Sequence, residues 1–396
     1  MSYDLVVIGA GPAGMSAAIK AASHGVNVAL IDEQPIPGGK LNGQLHQDGK
    51  GDWWIGQEVA ENLASTINKL SIPCFYEREV WGIDPNWKVM LDQGELLETK
   101  NIILATGAAE KSVPVPGWTK PGVMTIGAAQ VLTNFHRIKP GEKAAIIGID
   151  ALSLTVAQAM KLGGIDVVGI FLFPPESGID LKPKQVMKEL SNLSHLAPNV
   201  WLRTMGKLVQ GNRIQTIATA LYPKSGMKIG GVPIYLKKTI TDIIGKDKVE
   251  QINIGSYDHR GRIKRKSQII NVDCVCLSGG LYPLLDLAKA VGCATSYIPS
   301  LGGEIPLYNG EMETSQPGIF IAGNITGIEG AKVAMAQGEL AGTAVSSKLG
   351  KLKSSRNILR KARKRVENER DRAVFSFQAN IGQGREKVKT LWKQLE

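Results

Sequence analysis

The 396-residue chain is poor in cysteine, with only Cys74, Cys274, Cys276 and Cys293, and no pair of them has C-x-x-C spacing. This excludes a dithiol redox centre, a zinc ribbon and an iron–sulfur cluster held by this chain alone. Cys274 and Cys276 stand two apart in the apolar stretch 272–277. On a strand they share a face and read as buried core thiols. The five histidines, His24, His46, His136, His195 and His259, show no metal-ligand spacing and no nucleophile–His–acid order. No metal site is therefore expected, and no catalytic acid or base can be named. There is no apolar run of about 18 residues, so no transmembrane helix is expected. The Met-Ser-Tyr-Asp start has neither the basic nor the apolar region of a signal peptide, which points to a cytoplasmic protein.

What is present is an ordinary globular composition, 43% hydrophobic and 21% charged, too apolar for disorder. At roughly 150 residues per domain the length suggests two or three domains. The formal net charge of +11 is unevenly spread. Residues 351–372 hold ten Lys or Arg against Glu367, Glu369 and Asp371, a net of +7. The body of the chain is thus close to neutral.

The informative motif comes first. An apolar β-forming run, residues 3–8, leads into Gly9-Ala10-Gly11-Pro12-Ala13-Gly14 and an Ala-rich helical stretch. A second apolar strand, 26–31, ends in Asp32-Glu33-Gln34, with Asp32 eighteen positions after the third glycine. Strand, glycine loop, helix, strand and acid together make a complete dinucleotide fingerprint. Gly9 permits the tight turn, Gly11 lets backbone approach a pyrophosphate, and Gly14 allows close helix–strand contact. The helix N-terminus directs its N–H groups and positive dipole end at the phosphates. Asp32, with Glu33 as its rival, is placed to accept hydrogen bonds from ribose hydroxyls.

Further glycine turns point to FAD rather than NAD. Pro37-Gly38-Gly39-Lys40 would let backbone approach the flavin end of an extended cofactor. Residues 101–107 read as a strand ending in the Ala105-Thr106-Gly107 motif of flavoproteins with two dinucleotide domains. Residues 318–324 read as a strand running into Gly323-Asn324, and Gly330-Ala331-Lys332 opens a helix reaching about residue 349. A second βαβ unit is expected over 144–173, but its loop carries Asp150 and Ser153 where the second and third glycines belong. A side chain at 150 blocks the approach of a phosphate, and its carboxylate repels it. Between 174 and 270 the β-rich pieces 214–221 and 249–254 stand out, and 258–262 reads as a hairpin turn.

Residues 105–130, 32–39, 273–292 and 302–327 closely resemble one group of flavoproteins. These are the α-type subunits of heteromeric, dye-linked amine and amino-acid dehydrogenases. The group includes proline and hydroxyproline dehydrogenases, octopine and nopaline oxidases, hydrogen cyanide synthase and heteromeric sarcosine oxidase. The resemblance covers about residues 3–348 and is weakest in the middle of the inserted domain. It implies an α/β fold in which a Rossmann-like FAD domain is interrupted by a second Rossmann-like domain. It also implies a β-type flavoprotein partner that oxidises the amine, while the α-type chain accepts or relays electrons and its second domain can hold another nucleotide. The position of Asn324 is that of an acid which bonds the ribityl chain, and the helix that follows faces the flavin pyrimidine ring. Asn keeps an acceptor there and adds donors. The cofactor-binding candidates are then Gly9, Gly11, Pro12, Ala13, Gly14, Asp32, Glu33, Gln34, Gly39, Lys40, Val80, Ala105, Thr106, Gly107, Gly323, Asn324, Gly330 and Ala331, with Gln337 as a further flavin contact.

Two departures from the group matter. Where many relatives carry a cysteine-rich segment near the C-terminus, this chain has its basic helix, so any iron–sulfur centre sits on a small partner subunit or is absent. Asp150 argues against NAD(P)H use, and the missing C-x-x-C argues against thioredoxin-reductase-like activity. The expected division is 1–115 and 270–350 for the split FAD domain, 116–269 for the insert, and 351–396 for a basic helical tail. That tail is either a solvated extension or a docking element for an acidic partner or the anionic inner face of a membrane; with no aromatics interleaved in the basic run, nucleic acid is not expected as a partner. In it Leu359, Val366 and Val374 recur every seven or eight residues, and Phe375, Phe377 and Trp392 offer an apolar anchor. The leading expectation is an FAD-containing relay subunit of an amine or amino-acid dehydrogenase. The alternatives are a self-sufficient NAD(P)H-dependent flavin reductase and an FAD-loaded scaffold. Purified, the chain should be yellow. A colourless protein that takes up no FAD on reconstitution contradicts this.

Overall fold

Leu5–Ile8 forms a strand with every side chain buried, as a short apolar run covered on both faces requires. It pairs in parallel with Val28–Ile31 on one side and Ile102–Leu104 on the other. Cys74–Phe75 and Ile319–Ile321 extend the two edges, completing five parallel strands. The computed structural model describes residues 1–47, 51–179, 183–192, 219, 221–223, 225–257, 263–373, 377–378 and 380–395. His195, His259, the 258–262 turn, most of 214–221, Val374 and Phe375 lie outside the described residues.

The chain divides into two units. The first comprises Met1–Asn42, Gly56–Ala109 and Leu281–Glu396, and the second comprises Gly43–Ile55 and Glu110–Gly280. The division thus falls at 109/110 and 280/281, against expected boundaries of 115/116 and 269/270, and it leaves 351–396 within the first unit. The hairpin Leu45–Gln47 with Trp53–Ile55 groups with the second unit. Within that unit the Asn134 side chain donates to the Gly43 carbonyl at 2.8 Å.

In the first unit two helices matter most, Pro12–Ala22 and Ala331–Lys348. They meet at backbone distance. A Cβ on Gly338 would lie 2.0 Å from the Ala13 carbonyl oxygen, and one on Gly342 would lie 2.5 Å from that of Ala17. Since 338 faces 13 and 342 faces 17, the helices run in parallel and their N-termini lie at the same end. A four-stranded sheet, Ser2–Tyr3, Leu96–Thr99, Lys88–Leu91 and Val80–Asp84, completes this unit's β-structure of interest.

The basic tail folds onto the first unit. Its helix Ser355–Asp371 buries Leu359 and Val366, the seven-residue pair seen in the sequence. The helix Ile381–Trp392 buries Gly384 and Val388, and Val388 joins a core with Ile298, Leu301, Ile305 and Leu307. Arg363 pairs with Glu311 and Arg365 with Glu339, both partly exposed, so these contribute little stability.

The second unit is built on a sheet in which Val123–Thr125, Cys274–Leu277, Lys143–Ile147, Asp166–Leu172 and Val232–Ile244 run parallel. Gln251–Tyr257 and Ile263–Asn271 extend it antiparallel. Cys274 and Cys276 are fully buried on one strand with their sulfurs 3.8 Å apart. The mutual contact and burial hold the Cys276 thiol well above its ordinary range, so it is an inert core group.

Gly338→Leu should be severely destabilising, by about 3 kcal/mol or more, because the added side chain must push the two helices apart. Urea unfolding checks this, and an unchanged midpoint contradicts the helix contact.

Candidate functional site

The fingerprint loop of the first unit shows three glycines with three different jobs. Gly9 has φ of 103°, and a Cβ there would lie 2.5 Å from the Ala105 carbonyl oxygen, so turn and contact both demand glycine. A Cβ on Gly14 would strike the Gly9 carbonyl. Gly11 differs, since a Cβ there would meet nothing within 4 Å. It is the N-cap of Pro12–Ala22, with no side-chain cap and no acid in the first turn. Pro12 at the first helical position removes one donor that would have no partner. No side chain caps the remaining N–H groups of the first turn, which is the arrangement that accepts a phosphate.

Asp32 secures this loop. Its carboxylate accepts from the Ala10 N–H and, at 2.8 Å, from the Gln34 N–H. Burial pushes its carboxyl above the usual carboxylate range, against those two hydrogen bonds, with the nearby Glu33 charge adding to the rise. Each carboxylate oxygen has a second lone pair, so Asp32 can also receive a ribose hydroxyl. Glu33 and Gln34, next to it in the chain, are exposed, as is Lys40. The second glycine turn closes on the first. Gly38 N–H donates to the Ala10 carbonyl at 2.8 Å, and a Cβ on Gly39 would lie 3.3 Å from Gly11 Cα. Val80 opens a strand two residues after Arg78, whose N–H donates to the Asp32 carbonyl.

Ala105, Thr106 and Gly107 leave the strand Ile102–Leu104 and are held from behind. Thr106 Oγ1 donates to the Leu284 carbonyl at 2.9 Å, and Leu284 N–H donates to that of Gly107 at 3.1 Å. Gly323, with φ of 81°, approaches the Pro12–Ala22 helix so closely that a Cβ would lie 2.8 Å from that of Ala13. Asn324 uses Oδ1 to accept the Glu329 N–H at 3.1 Å, shaping the loop that ends at Gly330. Its amide N–H groups are what it can offer a ligand. Gly330 caps Ala331–Lys348 with no side-chain bond, and a Cβ on it would meet nothing within 4 Å. A second open helix N-terminus therefore lies at the same end of the helix pair, displaced along it by roughly 9 Å.

Gln337 differs from the sequence expectation of a flavin contact. It is 1% exposed. Its Oε1 accepts from the Gly323 N–H at 2.8 Å and from Thr326 Oγ1 at 3.2 Å. Its Nε2 donates to Glu329 Oε2 at 3.2 Å. With both ends of the amide bonded inside the protein, it holds the loop. Glu329 and its partners Arg370 and Arg385 are functional candidates that the sequence reading passed over. A lone Glu before a glycine carries no signal, and both arginines are hidden among many basic residues.

The second fingerprint contrasts with the first. Gly148, with φ of 107°, keeps the glycine turn after Lys143–Ile147. Asp150 is then the N-cap of Ala151–Leu162 in a reciprocal capping box with Ser153. Its Oδ1 accepts the Ser153 N–H at 2.7 Å, Ser153 Oγ accepts the Asp150 N–H at 2.9 Å, and Ser278 Oγ donates to Asp150 Oδ2 at 2.7 Å. Burial pushes the Asp150 carboxyl upward, opposed by those hydrogen bonds. Past the next strand, Phe173 is buried and its carbonyl accepts the Tyr257 hydroxyl at 2.8 Å. The helix end that would hold a phosphate is filled by the protein's own side chains. Among the described residues no three His, Cys, Asp or Glu side chains gather as for a metal, and no helix is long and apolar enough to cross a membrane.

Residues 3–338 match the family model for pyridine nucleotide-disulphide oxidoreductases. The chain belongs to that family. Its membership implies FAD, and the open loops of the first unit fit such a cofactor. The chain is 30% identical over 366 residues to an opine oxidase subunit of Agrobacterium tumefaciens, covering 88% of this chain and 66% of that protein. It is 26% identical to hydrogen cyanide synthase subunit HcnB of Pseudomonas protegens, covering 91% of this chain and 74% of that one. The chain thus spans just under two thirds of the opine oxidase subunit's length. Among solved structures, L-proline dehydrogenase from P. horikoshii shares the fold with a TM-score of 0.62 at 19% identity, over 91% of this chain and 59% of that one. The protein is an FAD-dependent oxidoreductase of this family, related to subunits of opine oxidase and hydrogen cyanide synthase.

Because nothing in the protein opposes a side chain at 11, Gly11→Val should leave the apoprotein within about 0.5 kcal/mol of wild type yet abolish FAD retention. Full FAD occupancy in that variant contradicts the cradle. Asp150→Ala removes a cap and leaves Ser278 without its acceptor. It should cost about 1–2 kcal/mol in urea unfolding, and no loss contradicts the closed helix end.

Proposed function

We propose that this chain is the FAD-carrying, electron-accepting and relaying subunit of a heteromeric dehydrogenase or oxidase acting on the CH–NH or CH–NH2 bond of an amine or amino acid. The carrying observation is the contrast between the two fingerprint helices. One has an open N-terminus lined by Gly9, Gly11, Pro12, Ala13 and Gly14, and the other is capped by Asp150. A family member with one open and one closed dinucleotide site takes its electrons from somewhere other than a nicotinamide bound in its second unit.

When bound, FAD supplies the isoalloxazine that accepts and passes on electrons. The chain's residues bind and orient it. Gly11 and the first turn of Pro12–Ala22 receive the pyrophosphate, and Asp32 accepts from the ribose. Gly39, Lys40, Ala105, Thr106 and Gly107 border the extended cofactor, and Asn324 donates to the ribityl chain. The Gly330–Ala331 helix end favours negative charge on the ring system. The electron donor then sits on a partner, a β-type flavoprotein subunit, and an iron–sulfur centre, where the complex has one, sits on a small further subunit. The names of the relatives support this, since each is a subunit of an oxidase or synthase. The exposed basic residues of the tail, Arg356, Arg360, Lys361 and Lys364 among them, suit an acidic partner surface. A cytoplasmic location belongs to the same reading.

The test is anaerobic mixing of the FAD-loaded protein with NADH or NADPH, and separately with amine in the presence of partners co-purified from the native source. The flavin should keep its oxidised spectrum in the first case and bleach in the second. Rapid stoichiometric bleaching by NADH or NADPH contradicts the proposal.

A further inference from the structure

The family match ends at residue 338, yet two residues beyond it reach back to the loop that forms the second open helix end. Arg370, from the helix Ser355–Asp371, donates through Nε to Glu329 Oε1 at 3.2 Å and through Nη2 to Oε2 at 3.0 Å. Arg385, from Ile381–Trp392, donates to the same carboxylate. All three side chains are largely buried, with relative exposures of 12%, 19% and 10% for Arg370, Arg385 and Glu329. Glu329 stands immediately before Gly330, the open cap. It is also tied to Gly323 through a single side chain, Gln337. Two tail helices thus clamp one carboxylate at the base of the 323–330 loop.

We propose that Arg370 and Arg385 are positioning residues for the flavin: the tail locks the 323–330 loop through Glu329 and leaves a surplus positive charge beside the helix end that faces the ring. The proposal rests on the FAD reading above. Its logic is electrostatic. Two guanidinium groups on one carboxylate leave a net positive charge in a site of low exposure, where it is weakly screened. Glu367 also pairs with Arg370 at 3.0 Å, but it is 60% exposed and solvent weakens its compensation. A positive charge near the cofactor favours the more negative, reduced flavin and so raises its midpoint potential, which suits an electron acceptor. The fork of Arg370 holds Glu329 in fixed orientation, which Lys cannot reproduce.

The test uses the full-length FAD-loaded protein and reads midpoint potential by dye-equilibrated reduction, together with the rate of FAD release on dilution. Arg370→Met with Arg385→Met should lower the potential and release FAD roughly tenfold faster, the effect of losing a buried charge pair. Arg370→Lys with Arg385→Lys should restore the potential but only part of the retention. Glu329→Gln should move the potential the opposite way, upward, and this single variant serves if the double Met protein does not fold. Arg363→Gln with Arg365→Gln, which breaks only exposed tail pairs, should change neither reading. Equal potentials in wild type and the Met and Gln variants overturn the proposal. So does a shift of the same sign in the Met and Gln variants, which would mean general loosening. A wild-type protein that binds no FAD overturns the FAD reading itself, and is recognised before any variant is compared.

Discussion

The first unit depends on one contact, the backbone-distance crossing of Gly338 and Gly342 on Ala13 and Ala17. Only glycines on one helix and small residues on the other permit it. The contact sets Pro12–Ala22 and Ala331–Lys348 side by side and parallel, so that two uncapped N-termini open at the same end. Everything at the candidate site follows from this pairing. Gly323 can touch Ala13, the glycine turn at 38–39 can fold over Gly11, and two separated helix ends are left without side-chain caps. The same surface with a larger residue at 338 would have no such end.

A helix N-terminus with unpaired N–H groups must find a partner, and the two units solve that requirement differently. In the first, no side chain is offered, and the space in front of Gly11 and Gly330 is open. In the second, Asp150, Ser153 and Ser278 close the end from within. The difference lies in two residue types within otherwise similar strand–turn–helix segments.

Much of this was legible in the sequence because local chemistry decided it. The Gly9–Gly14 loop needs no tertiary information, since the turn, the cap and the acid all lie within one βαβ unit. Asp150 stands out in the sequence as a side chain in the place of a glycine, and the structure adds that it is a capping residue bonded to Ser278, a partner 128 positions away. What could not be read depends on long-range packing. Gln337 looked available to a ligand, but its neighbours Gly323, Thr326 and Glu329 are supplied by a preceding loop. The basic tail read as one solvated charge run or docking arm. Its periodic Leu359 and Val366 marked a buried face, yet nothing local showed that Arg370 and Arg385 converge on Glu329. A charge run conceals which of its members is committed, because pairing is fixed by the fold and not by composition.

The central claim, one open and one closed dinucleotide site, is tested most directly by counting adenine nucleotides per chain. The protein is equilibrated with FAD and NADPH together, freed of unbound ligand and denatured for analysis. One FAD per chain and no second nucleotide are expected. Two nucleotides per chain, or a bound NADPH in place of the flavin, would contradict the claim.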